Sequence, residues 1–405
     1  MTASRPGTVA VILAGGLSSR MGQRFKPLLP LAGRTPLSWL AGTFRQAGLD
    51  HILVVTGYRG TEVAAEATRL GLTPVHNPDY ETGMFSSVRA GLTALPQGTV
   101  RVCIIPVDVP LFRAATVRRL LARAQEPDTP PLLYPVFMGE RGHPPLIAAS
   151  VVPEVLAHHG EGGLRQALAP FAFEEIAVAD AAILADMDTP NQYASLCALA
   201  ERLDCPTPAE AEALLAIQGV PPQGLAHGRG VAAVAVALGR ALNDAGLDLD
   251  ISLIKASALL HDVAKGQPHH EAAGGQLLDA LGFHRAAAIV AAHRDAVLPD
   301  SAPITEREIV YLADKFVFGR WLVPVQLRFQ QKLDLFAADP EATAAIRRRL
   351  GNAQNVLARV EARLNAKAED VIAAAGFHPG PPPAEAYEAA RKRGKSAAPA
   401  PCRVE

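Results

Sequence analysis

VAVILAGGLSSRMG, Val9 to Gly22, runs an apolar, β-branched segment directly into two glycines, two serines and an arginine. A short apolar run halted by glycine reads as a buried strand ending in a tight turn. Outward from it the rhythm repeats. PLSWLAGTFRQAG (36–48) and TEVAAEATRLG (61–71) carry helical patterns, while HILVVTG (51–57) and VRVCIIPVD (100–108) carry strand patterns. Such alternation, continuing to about Leu196, predicts a Rossmann-like, doubly wound α/β domain with a mostly parallel sheet over residues 1–200. Val102 to Val107 is apolar throughout, as a strand covered on both faces requires. Asp108 therefore stands at the carboxyl edge, where open α/β sheets place their ligands.

After Tyr193 the character changes. Short helical patterns broken by Pro206 and by Pro221-Pro222 predict a linker over 201–222. VAAVAVALGRALNDAG, ISLIKASALLHDVAKG, AAGGQLLDALG, RAAAIVAAHRD and ITEREIVYLADKFV then predict an all-α domain over 223–375. The prolines beyond Phe377 and the basic end predict a weakly ordered tail over 376–405.

Bulk properties narrow the function. A formal charge of −1 on 405 residues argues against duplex nucleic acid or an anionic membrane as partner, so any phosphate chemistry must come from local sites. Cys103, Cys197, Cys205 and Cys402 are scattered without a CxxC pair, which fits a reducing cytoplasm. No leader pattern and no long apolar run is visible, so a cytoplasmic protein is expected.

Chemistry concentrates in two places. In the first, Gly15 and Gly16 permit positive φ and close approach of backbone N–H groups to phosphate oxygens. Ser18, Ser19 and Arg20 add donors and a cation, and Lys26 follows within reach of the same phosphates. By spacing this is neither GxGxxG nor a Walker loop.

LAGGLSSRMG followed by Lys26-Pro27 resembles the molybdenum cofactor guanylyl- and cytidylyltransferase group. NPDYETGMFSSVRAGL (77–92), PVDVPL (106–111), RGHPPLI (141–147) and ADMDTPNQY (185–193) extend the likeness in order. The resemblance implies transfer of a nucleoside monophosphate from CTP or GTP to a molybdopterin-type cofactor, with CTP favoured, and a molybdenum hydroxylase as a recipient. It carries nucleotide contacts onto Leu13, Ala14, Gly15, Gly16, Ser18, Ser19, Arg20, Lys26, Gly83, Ser86 and Ser87. It carries acceptor contact onto His143 and Mg2+ ligation onto Asp108 and Asp188, with Asp186 competing for the latter role. Transfer between anions needs such a metal and fixed cations, Arg20 and Lys26 among them. A sugar or alcohol phosphate acceptor is the alternative, since the fold alone supports both.

The second place is His227, His261-Asp262 and Asp314, on separate helical patterns. Imidazoles and carboxylates in that mixture suit Mn, Fe, Ni or Mg better than structural zinc. The set resembles the HD superfamily of metal-dependent phosphohydrolases. That likeness implies one or two divalent metals, with His270 and His293 at the positions of second-metal ligands. Lys265, four residues after His261, reads as a phosphate contact on the same helix face or as a solvated helix-end lysine. His293 is followed by Arg294 rather than histidine, which leaves one metal or two open and Arg294 as a phosphate contact. The helical domain is expected to hydrolyse a phosphorylated metabolite or nucleotide, or to act as a nucleotide or metal sensor.

Overall fold

The computed structural model describes residues 7–17, 25–295, 297–299, 301–319 and 321–377. The chain divides essentially at Leu203/Asp204 into two compact units.

In the first unit, β1 (Thr8–Leu13), β2 (Ile52–Thr56), β3 (Thr73–His76) and β4 (Arg101–Pro106) pair in parallel, with β1 between β2 and β4. The helices α1 (Pro36–Gln46), α2 (Gly60–Arg69) and α3 (Met84–Thr93) make the crossovers, and α4 (Ala114–Arg123) follows β4. Val11, Val55 and Ile104 pack with Val88 and Leu92 of α3, while the alternate residues Ala10, Ile12 and Val54 are equally buried. Burial of both faces explains the continuous apolar runs.

The second half of the sheet departs from parallel pairing. The strands β5 (Leu132–Phe137), β6 (Glu140–Arg141) and β7 (Leu146–Ala148) are joined by short links and pair antiparallel, and β7 returns antiparallel to β4. After α5 (Val152–Ala157) and α6 (Gly163–Leu168), β8 (Phe173–Ala177) lies parallel to β5, and α7 (Pro190–Ala200) closes the unit. Among the described residues the sheet has eight strands in the order β3-β2-β1-β4-β7-β5-β6, with β8 also on β5. It is a mostly parallel mixed sheet.

The second unit is helical. Its elements are α8 (Pro208–Ile217), α9 (Pro222–Asp244), α10 (Ile251–Leu260), α11 (His270–Ala280), α12 (His284–Ala292) and α13 (Glu306–Phe316). The two-residue strands β9 (Val317–Phe318) and β10 (Trp321–Leu322) follow, then α14 (Val325–Leu335), α15 (Pro340–Leu364) and α16 (Ala368–Ala374). Leu253, Ile254, Ala256, Ser257, Ala258, Leu259 and Leu260 of α10 are all buried, which marks it as the central helix. The stretch 201–222, expected as a linker, contains α8. A Thr207/Glu210 capping box starts that helix, and Ala211, Leu214 and Leu215 are buried, so this segment is part of the helical unit's core. Of the expected tail, only residues up to Phe377 fall within the described part. No described helix is long and apolar enough to cross a membrane.

Candidate active sites

The parallel register aligns Leu13 with Pro106, so β1 and β4 end at one edge and deliver Ala14–Leu17 and Asp108 to it. Backbone bonds fix both exits: Ala14 N–H donates to Val55 O (2.8 Å) and Val107 N–H to Leu13 O (3.0 Å). Neither Gly15 nor Gly16 adopts positive φ, contrary to the expectation for this turn. Gly15 is closely packed instead, since a Cβ there would lie 3.2 Å from Ser87 Oγ and 3.3 Å from Gly57 N. Gly57, at the exit of β2, is tighter still: its Cβ would fall 2.8 Å from Gly15 O. Ser18, Ser19 and Arg20 lie outside the described residues.

Lys26 opens a 3-10 turn, Lys26–Leu28, and is buried. Its Nζ donates to Asp108 Oδ2 (3.0 Å) and to Asp188 Oδ1 (2.5 Å). Burial opposes the ammonium charge, but the hydrogen bond to Asp188 and the charge of Asp108 outweigh it and raise the lysine's pKa. The lysine expected at the phosphates is thus held by the two carboxylates expected to bind magnesium. Two facing carboxylates that already share one cation fit a hard divalent ion, which takes one or two carboxylates plus phosphate and water.

Asp186 accepts a hydrogen bond from Gln192 Nε2 at the start of α7. Burial, then the charges of Asp188 and Asp108, raise its pKa. His143 feels the charges of Asp108 and Asp186, yet burial dominates and lowers its pKa. Its Nδ1 is buried without a hydrogen-bond partner. Asp108, Asp186, Asp188, Lys26 and His143 therefore form one neighbourhood.

Gly83, at φ 112°, starts α3. Asn77 Nδ2, at the exit of β3, donates to both Ser86 Oγ (2.9 Å) and Ser87 Oγ (3.0 Å). The two serines are thereby tied to the fold, and Ser87 is buried. Sequence reasoning passed over Asn77, although an Asn-Pro-Asp turn directly after a strand was a readable signal.

In the helical unit, α9 supplies His227, the turn directly after α10 supplies His261 and Asp262, and α13 supplies Asp314. His227 Nε2 lies 3.3 Å from His261 Nε2, 3.3 Å from Asp314 Oδ1 and 3.8 Å from Asp262 Oδ2. His261 Nε2 lies 3.5 Å from Asp262 Oδ2 and 3.7 Å from Asp314 Oδ1. Such spacing is close to the roughly 3 to 3.5 Å separating ligands that each stand about 2.1 Å from one ion. The other oxygen of Asp262, Oδ1, faces His270 Nε2 at 3.3 Å and His293 Nε2 at 3.7 Å. Asp262 thus links two ligand groups, His227/His261/Asp262 and Asp262/His270/His293.

Three of the imidazoles are pre-oriented. The Nδ1 atoms of His261, His293 and His227 contact the carbonyls of Ala258 (2.7 Å), Val290 (2.7 Å) and Gly319 (3.2 Å). An Nδ1–H donated to a carbonyl leaves Nε2 with its lone pair toward the cluster, as metal-binding histidines are held. Burial pushes the His261 pKa down to about 4, against the raising charges of Asp262 and Asp314, and also lowers that of His293. Neutral imidazoles beside ionised carboxylates suit a divalent cation.

Several lysines and arginines stand around the cluster. Lys315 Nζ donates to Asp314 Oδ2 (2.7 Å) and His293 O (3.2 Å), and Lys265 Nζ donates to Asp262 Oδ2 (2.5 Å). Helix α10 ends at Leu260, so Lys265 sits in the following turn and the argument from a shared helix face fails. Arg294, open as a phosphate contact, pairs with Glu271 at 3.0 Å. Sequence reasoning missed Arg328 of α14, whose Nη2 lies 3.6 Å from Asp314 Oδ1, because tertiary packing alone brings α14 to the cluster.

A family model described as "MobA-like NTP transferase domain" matches residues 10–176, and one described as "HD domain" matches residues 224–318. The chain is 29% identical over 191 residues to the molybdenum cofactor cytidylyltransferase of Escherichia coli (strain K12), covering 45% of this chain and 92% of that protein. It is 42% identical over 125 residues to the molybdenum cofactor guanylyltransferase of Xanthomonas euvesicatoria pv. vesicatoria (strain 85-10), covering 31% of this chain and 59% of that protein. It is also 32% identical over 200 residues to the nicotine blue oxidoreductase of Paenarthrobacter nicotinovorans, covering 46% of this chain and 95% of that protein.

Proposed function

The chain belongs to the MobA-like NTP transferase domain family over residues 10–176 and to the HD domain family over residues 224–318, and from that footing we propose an enzyme with two separate sites. The first transfers CMP from CTP to a molybdopterin-type cofactor, and the second hydrolyses a phosphate ester with the help of divalent metal.

In the transfer, an acceptor phosphate oxygen bonds to the α-phosphorus of CTP as the α–β bridge breaks and pyrophosphate leaves. The convergence of Asp108 and Asp188 on Lys26 Nζ carries this half of the reading. Asp108 and Asp188 would hold magnesium, whose charge would let two anions meet. Lys26 keeps the two carboxylates facing each other and contributes a fixed positive charge. His143, whose pKa burial lowers, is the residue we assign to hold or release a proton on the acceptor group. Gly15, pressed against Gly57 and Ser87, sets the path of the turn along which the triphosphate lies.

The hydrolytic half rests on Asp262, whose two oxygens face two histidine groups. His227, His261 and Asp262 on one side, and Asp262, His270 and His293 on the other, would hold divalent metal, which would supply charge to activate water and to balance the departing oxygen. His227, His261 and His293 hold their Nε2 atoms in place through carbonyl contacts at Nδ1, and Lys315 fixes the carboxylate of Asp314.

The relative named as an oxidoreductase is 32% identical, between the 29% of the cytidylyltransferase and the 42% of the guanylyltransferase, so the reaction must be assayed. Pyrophosphate release from CTP and from GTP, with magnesium and molybdenum-loaded molybdopterin, tests the transferase. Release with CTP and acceptor together is expected. Silence with both nucleotides in folded protein would remove the cofactor assignment and turn attention to sugar or alcohol phosphates.

A further inference from the structure

The helical unit contains a cleft of about 770 Å³ that reaches His227 and Asp262 of the metal cluster. Arg328 and Lys332 of α14 both line it, and at four residues apart they share one face of that helix. Both lie beyond residue 318, where the HD match ends. Arg328 is held from two sides: its Nη2 lies 3.6 Å from Asp314 Oδ1, and its Cζ lies 5.7 Å from the centre of the Phe318 ring. Neither contact is a hydrogen bond, and its Nε is buried without a hydrogen-bond partner. Lys332 Nζ stands 5.8 Å from the Phe329 ring and makes no ion pair among the described residues. Burial, then the charges of Arg328 and Lys315, push its pKa down to about 8 against the charge of Asp314.

The ligand carboxylates are already claimed by other lysines. Lys265 donates to Asp262 Oδ2 and Lys315 to Asp314 Oδ2, so the α14 pair brings positive charge in surplus of these two acids. A surplus of two cations beside metal ligands calls for a doubly charged anion, and a guanidinium suits phosphate oxygens in particular. A terminal phosphate carries roughly two negative charges at neutral pH, whereas the phosphate bridge of a diester carries a single one. We propose that Arg328 and Lys332 hold the substrate phosphate at the hydrolytic site and select a terminal, dianionic phosphate, as in a phosphomonoester, over a phosphodiester. The proposal rests on the phosphohydrolase reading and names the substrate class for it.

Two probes of similar shape and different charge test this by calorimetric titration of the full-length, manganese-loaded chain near neutral pH. Phenylphosphonate is a dianion, its monomethyl ester is a monoanion, and the carbon–phosphorus bond of both resists hydrolysis. The native chain is expected to bind the dianion at least tenfold more tightly. Arg328→Ala with Lys332→Ala is expected to weaken the dianion at least tenfold and the monoanion no more than twofold, without weakening manganese. Helix α14 lies wholly in the helical unit, so binding lost in the double variant is not binding at the transferase site. A native chain without the preference, or an equal loss for both probes, overturns the proposal. So does loss of manganese affinity in the variant, which would make Arg328 a support for Asp314 alone. Should the double variant fail to fold, Lys332→Gln alone is expected to weaken the dianion at least threefold and spare the monoanion, and an unchanged preference there overturns the proposal. Manganese-dependent release of p-nitrophenol from p-nitrophenyl phosphate and from its bis(p-nitrophenyl) diester tests the phosphohydrolase reading separately. Monoester release without the binding preference, or release from the diester alone, overturns the selection by α14 and leaves hydrolysis standing. The preference without release from either ester supports the α14 site and overturns hydrolysis.

Discussion

His261 shows how one buried side chain ties stability to pH. Its imidazole is 1% exposed, and burial lowers its pKa to about 4. An unfolded histidine titrates near 6.5, so between those values the unfolded chain binds more protons than the folded one. Stability from this group is present above the unfolded value and lost as pH falls toward the folded value. In EDTA-treated protein, moving from pH 7 to pH 5 should therefore cost on the order of 2 kcal/mol through His261. Urea midpoints at the two pH values check this, with His261→Gln showing a smaller drop. An equal drop in native chain and variant contradicts the assignment. The histidine and aspartate identities were legible in the sequence because an adjacent polar pair ends a strongly apolar helix. Their partition into two groups around Asp262 was not, since it depends on which carboxylate oxygen faces which helix.

At the scale of elements, helix contact sets the spacing of the candidate ligands. Gly228 follows His227 in α9, and a Cβ there would fall 2.9 Å from the carbonyl oxygen of Leu259 in α10. Backbone cannot yield as a side-chain tip can, so Gly228→Ala forces the two helices apart. The expected result is manganese affinity at least tenfold weaker with helical circular dichroism retained. Unchanged affinity would show that the cluster tolerates the shift.

A comparable anchor operates in the α/β unit. Asp180, in the segment leading to Asp186 and Asp188, accepts from Arg113 N–H (2.7 Å), Arg113 Nη1 (3.0 Å) and Thr116 Oγ1 (2.6 Å) at the start of α4. Asp180 and Arg113 are both buried. Removing one partner of a buried ion pair leaves the other uncompensated, so Asp180→Ala should destabilise the protein by roughly 3–5 kcal/mol. Denaturant unfolding measures it, and a loss below about 1 kcal/mol, the range of exposed pairs, contradicts this anchoring role. The strands of this unit were readable from their apolar runs. The antiparallel return of β7 was not, because LIA at 146–148 is too short to carry a pattern. Nor did local sequence tell whether Lys26 turns toward phosphate or toward aspartates 82 and 162 positions away.

For the whole molecule, two cores form on two separate sets of elements, and each candidate site lies within one of them. The composition shift after Tyr193 announced that organisation. The position of the break was less legible, because α8 is short and flanked by prolines yet packs into the helical core. Chemistry confined to separate units should fail separately. The most direct measurement follows pyrophosphate release from CTP and manganese-dependent phosphate release from a phosphate ester, in Asp108→Ala and in the His261→Ala, Asp262→Ala double variant. Asp108→Ala should lose pyrophosphate release by roughly 10²-fold or more, as removal of a group stabilising transferred charge does, and keep hydrolysis. The double variant should do the reverse. Loss of both activities from either change, in protein that remains folded, would contradict two independent sites.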